Sequence, residues 1–180
     1  RAHKRAHLGS GIALAIASWL TMAVIVAILG FQMDTGVWTV QPGFWTAVLN
    51  PLYLPQLFFR TPFALVTAGM FGLFLTYLFT DRGSDFRARA VRAICGWSLA
   101  FGAAWLVGAV SYWRAIPEHM IANLPVAMTT LAYQNFLDPL RWLGGLSVVA
   151  LILVCVWGLV APRRLPLLVG VIPVVLAVWQ

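Results

Sequence analysis

Residues 43–62 read GFWTAVLNPLYLPQLFFRTP and run directly into residues 63–80, FALVTAGMFGLFLTYLFT. The first part is aromatic and punctuated by Pro51, Pro55 and Pro62, whereas the second holds no charged residue. At about 1.5 Å of rise per residue, an uncharged helix ending near Thr80 crosses the roughly 30 Å of a bilayer core with little to spare. Asn50, Gln56 and Arg60 stand where that helix enters the membrane. Such a span predicts an all-α polytopic membrane bundle, and its polar mouth is the first place to look for chemistry.

Composition agrees. The chain has 180 residues, of which 62% are hydrophobic and 9% charged, with a mean hydropathy of +0.89. Soluble domains carry about 25% charged residues. Nine Trp and eleven Phe suit interfacial belts and helix packing in lipid. The net charge of +7 does not mark a nucleic-acid partner, because the basic residues cluster in short stretches between apolar runs, where they set orientation in a membrane. Cys95 and Cys155 lie inside apolar runs without CxxC or CxxCH spacing, so buried free thiols are expected rather than a zinc site or a covalently held c-type haem. Residues 1–7 are basic, but the apolar run after them is too long for a signal peptide and no cleavage site follows. A first residue other than Met and an apolar final stretch give the expectation of a single membrane domain cut from a longer chain.

Hydropathy predicts five spans, at about residues 8–32, 58–80, 91–113, 141–161 and 165–180. Small residues four apart mark expected packing faces: Gly9, Ala13 and Ala17 in the first span, Ala64, Ala68 and Gly72 in the second, and Ser98/Gly102 and Ala104/Gly108 in the third. Residues 44–49 read as a short interfacial helix, Asn50-Pro51 as a turn, and residues 114–141 as a loop folded on the membrane surface. Pro55 fits a first helical turn. Pro62 marks either a second helix start capped by Thr61 or a kink that frees the carbonyl of Phe58. Basic residues fill the leader, residues 81–92 and the Arg163-Arg164 turn, which are alternate connections. The positive-inside rule then puts the N-terminus in the cytoplasm and residues 33–50, residues 114–141 and the C-terminal end outside.

Few side chains are fit for chemistry. His3 and His7, four apart, offer imidazoles to a metal, but no carboxylate or thiol stands near them in sequence, and an interfacial cap beside basic residues is the simpler reading. His119 is either a solvated loop residue or a proton acceptor beside Glu118 at a quinol pocket. Arg60 and Arg141 stand at the outer edges of spans, with Gln56 and Asp138 about one turn away. They either snorkel to the interface or pair with a haem propionate or a quinone carbonyl. The charged midplane residues that a transporter needs are missing from the predicted spans.

Residues 50–61, NPLYLPQLFFRT, resemble subunit I of the cytochrome bd quinol oxidase superfamily, in the divergent bd-like branch with the pattern Phe-Trp…Asn-Pro-x-Tyr-x-Pro…Arg-Thr. KRAHL at residues 4–8 resembles the start of that family's fourth helix and RWLGG at residues 141–145 the start of its seventh, so the chain corresponds to roughly the fourth through eighth helices. The resemblance implies a respiratory or other quinone-linked electron-transfer complex in a prokaryotic inner membrane. It implies haem b and a quinone as cofactors of the whole protein or complex. It implies, besides the lipid bilayer, other membrane subunits as partners, among them a cytochrome c-type or bd subunit II-like protein. An active member would be a quinol-oxidising oxidoreductase.

The departures bear on the same chemistry. In the family, a His nine residues after the Asn of the Asn-Pro turn binds the low-spin haem; here Phe59 stands there. The second ligand, a Met two residues beyond the family's Arg, falls on Leu143. The resemblance therefore implies that this segment ligates no low-spin haem. The family's quinol-oxidising loop shortens to residues 114–141, with Arg114, Glu118 and His119 as its quinol-binding candidates. Two expectations follow: a quinol-oxidising protein whose haems are held elsewhere, or a cofactor-free scaffold that anchors a redox partner.

Overall fold

The computed structural model describes residues 2–81, 83–129 and 137–165. These residues form helices α1 (Ala2–Met33), α2 (Phe44–Val48), α3 (Tyr53–Phe79), α4 (Asp85–Ala115), α5 (Glu118–Thr129) and α6 (Leu137–Val160), with a 3-10 turn at Gly36–Thr39 and no strand among them. Four helices, α1, α3, α4 and α6, are long and apolar enough to cross a bilayer. The chain is an all-helical membrane protein. The fifth predicted span, residues 165–180, lies outside the described residues beyond Leu165.

The helices run further into the polar stretches than hydropathy foretells, because hydropathy detects the hydrocarbon and a helix continues for as long as its backbone bonds propagate. The basic leader is the first turns of α1 rather than a separate cap. Arg87, Arg89 and Arg92 ride on α4, which starts at Asp85 behind the capping hydroxyl of Ser84; its Oγ accepts from the Arg87 N–H at 3.2 Å. The stretch 114–141 is not an open loop but contains α5 and the start of α6. Pro62 does not restart a helix, since α3 passes through it unbroken from Tyr53.

The chain forms two compact units. The first consists of α1, α2, α3 up to Thr61, and the end of α4 from Gly108 with the residues after it to Pro117. Its corner is Asn50, which is 4% exposed. The Asn50 carboxamide donates to the carbonyls of Ala27 and Ala47, each at 3.1 Å, and of Val48 at 3.3 Å, while its oxygen accepts from the Leu52 N–H at 3.1 Å. Gly36, at φ +54°, turns the chain back under Pro51; an added Cβ would lie 2.7 Å from the Pro51 Cδ, so both the dihedral and the space require glycine. Trp19 Nε1 donates to Thr61 Oγ1 at 3.0 Å.

The second unit consists of α3 from Pro62, α4 up to Val107, α5 and α6. Val66, Met70, Leu73 and Tyr77 of α3, Val91 and Cys95 of α4, and Leu151, Val154 and Cys155 of α6 make its core. The spacing of three and four on each helix is the stripe of one packed face. Both cysteines are free and buried, as expected. The packing face of α3 is not the predicted one. Ala64 and Ala68 are exposed, and the close approach falls at Gly69, where an added Cβ would meet Ser98 Oγ at 2.5 Å. Gly9, Ala13 and Ala17 of α1 are exposed as well, whereas Ser98, Gly102 and Gly108 of α4 are buried as predicted. Exposed Phe71, Leu78, Trp157 and Val160 form the apolar surface that suits lipid.

Candidate functional site

Polar atoms buried in an apolar helix mouth are the molecule's most specific feature, and they gather around Tyr112. Tyr53 opens α3 with its N–H bonded to the Asn50 carbonyl at 3.1 Å, and Pro55 sits in the first turn, where a missing N–H costs little. The Asn50-Pro51 turn thereby sets the phase of α3 and turns Gln56 inward, leaving it 1% exposed. Gln56 Nε2 donates to Tyr112 Oη at 2.9 Å, and the Tyr112 hydroxyl donates on to Met33 Sδ at 3.7 Å. Phe59 lies over the same tyrosine, with ring centroids 5.7 Å apart and planes 20° from parallel. Tyr112 thus joins α4 to α3 and to the last residue of α1.

Two polar atoms remain over. Gln56 Oε1 and Arg60 Nε, one helical turn apart, are buried without a hydrogen-bond partner. In a hydrocarbon setting each such atom costs on the order of several kcal/mol. The crossing of α4 over this turn depends on Gly108, where an added Cβ would lie 2.7 Å from the Phe58 carbonyl oxygen and 2.9 Å from the Phe59 Cα. Pro62 has no N–H to offer that carbonyl.

The positions that the resemblance marks for haem do not fit the group. Phe59 presents only carbon and is stacked on Tyr112. Leu143, in α6, is aliphatic, and its carbonyl accepts from Ser147 Oγ at 2.7 Å. The two belong to different units, and neither side chain carries a lone pair for iron.

Most of the other candidates sit at helix ends or on exposed helix surface. Arg114 is exposed in the last turn of α4, in the first unit. Glu118 and His119 are exposed neighbours in the first turn of α5, in the second unit. His3 and His7 are exposed on α1, and no group of three or more His, Cys, Asp or Glu that could hold a metal occurs among the described residues. Arg60 is half-buried beside Phe59, and the side chain of Arg141 lies outside the described residues. Tyr112 went unnoticed in the sequence. The available signal was a phenol near the end of an apolar run, at the same predicted membrane face as Gln56 and Arg60.

No protein-family model, curated protein or solved structure matches this chain.

Proposed function

We propose that the chain is a bd-like membrane subunit of a quinone-linked electron-transfer complex, and that Gln56, Arg60 and Tyr112 receive a quinone or quinol headgroup at the mouth of α3. The observation that carries this reading is the pair of unpartnered buried atoms, Gln56 Oε1 and Arg60 Nε. A quinone has carbonyl acceptors for the guanidinium N–H, and a quinol has hydroxyl donors for the carboxamide oxygen. A headgroup that supplies both partners removes the cost of leaving them bare. The Tyr112 hydroxyl, already hydrogen-bonded to Gln56, fixes the carboxamide so that its oxygen points away from the phenol. The resemblance at residues 50–61 supplies the class of complex. Phe59 and Leu143 direct this segment away from low-spin haem, so the electron acceptor lies in another segment or on a partner subunit.

A second reading, a cofactor-free scaffold for a redox partner, draws on the same Phe59–Tyr112 stack, which gives the old ligand position a purely structural use. Titrating a short-tailed ubiquinone and a naphthoquinone into the purified full complex separates the two. Gln56→Leu and Arg60→Gln should each weaken quinone binding about tenfold, the size of one lost hydrogen bond of about 1.4 kcal/mol. Gln56→Leu should also leave the complex assembled, because losing an unpaired buried acceptor offsets the lost bond to Tyr112. An intact wild-type complex that binds neither quinone leaves only the scaffold reading. On the same preparations the reduced-minus-oxidised b-type band should survive His7→Ala and His119→Ala; its loss with either would assign haem ligation to this segment.

A further inference from the structure

At the other end of α4 the second unit holds a cavity of about 640 Å³ between the first turns of that helix and the turn that follows α6. Arg89 and Arg92 of α4 line one side, and Arg163 and Arg164 the other. One acidic side chain is present, Asp85, and it pairs with Arg163 through Oδ1 and Nη2. Arg89, Arg92 and Arg164 have no acidic partner among the described residues, so the cavity keeps an excess of three guanidinium charges over that one pair. The neighbouring Arg87 is not part of this excess, because its guanidinium lies 3.9 Å from the centre of the Tyr77 ring and reaches the Thr80 carbonyl.

We propose that this cavity binds the phosphodiester headgroup of an anionic phospholipid. Like charges gathered around one hollow repel unless an anion shares it, and planar guanidinium groups grip phosphate oxygens in pairs. Four exposed arginines, two from the first turns of α4 and two from the turn that follows α6, line one hollow rather than a single helix face. The lipid source, rather than free phosphate, follows from the position. Val160, the exposed last residue of α6, lines the cavity and continues into the apolar outer face of that helix, where an acyl chain can lie. The end of the molecule is also the one that the positive-inside rule assigns to the cytoplasmic leaflet, where anionic headgroups attract juxtamembrane arginines.

The test uses the full protein, purified, delipidated and reconstituted in nanodiscs of phosphatidylcholine with increasing phosphatidylglycerol, with retained lipid counted by native mass spectrometry. Wild type should retain phosphatidylglycerol selectively. Arg89→Gln with Arg164→Gln should weaken that retention about 25-fold, roughly fivefold for each guanidinium lost. Lys4→Gln, which removes a cytoplasmic-side charge elsewhere, should not change it, and Asp85→Asn should tighten it by freeing Arg163. Arg89→Lys, which keeps the charge, should retain most of the binding, and the melting temperature of each variant in plain detergent reports whether it is folded. Equal loss with Lys4→Gln would reduce the effect to general surface charge and overturn the site. Saturation by inorganic phosphate alone, with no further gain from phosphatidylglycerol, would overturn the lipid assignment in favour of a soluble phosphate.

Discussion

Asn50 distributes two amide protons over three carbonyls and takes one backbone N–H in return, with its own side chain buried. Asn50→Ala strands the Leu52 N–H and unties Ala27, so it should destabilise the protein by about 1–3 kcal/mol, read as a lower melting temperature in detergent. Asn50→Asp should be no milder, since a carboxylate cannot donate to those carbonyls. A variant as stable as wild type would show that the turn holds without its side chain. The local part of this arrangement was legible: Asn before Pro reads as a turn from the two residues alone. The bond to Ala27 was not, because it spans 23 residues and no local rule carries that far. Tyr112 escaped for the same reason, since its partners lie on two other helices.

At the scale of helices, α3 and α4 approach closely in the second unit where Gly69 faces Ser98. An added methyl at residue 69 would reach 2.5 Å from Ser98 Oγ, but only 3.8 Å from Ser98 Cβ. Gly69→Ala should therefore cost about 1–3 kcal/mol by overpacking. Ser98→Ala removes the obstructing oxygen and should return most of that loss, a coupling of about 0.5–3 kcal/mol in a double-mutant cycle of melting temperatures. Additive losses would mean that the two helices are held apart elsewhere. The expected stripe Ala64/Ala68/Gly72 missed this face by one residue. An apolar helix in lipid has no polar side to tell which of its faces packs, and small residues four apart fit several faces equally well. On α4 the same rule succeeded at Ser98/Gly102, where the residues are buried.

For the whole molecule, hydropathy placed all four described spans, since their apolar lengths are a property of the bilayer more than of the fold. The polar ends were misjudged because a basic residue can ride on a helix that emerges from the membrane. Arginines at alternate ends still define an orientation, which labelling can check. Cys95 and Cys155 are buried and should stay silent toward a membrane-impermeant maleimide in intact cells. Thr39→Cys should react from outside, and Asp81→Cys only after the cells are opened; the reverse pattern would invert the topology. The Asn50 corner has a further consequence in time. A ribosome delivers Ala27 to the membrane before Asn50 has been made, so the end of α1 enters lipid before its latch exists. That corner can close only once residue 50 has been made, so the end of α1 waits in lipid for the turn that leads into α3.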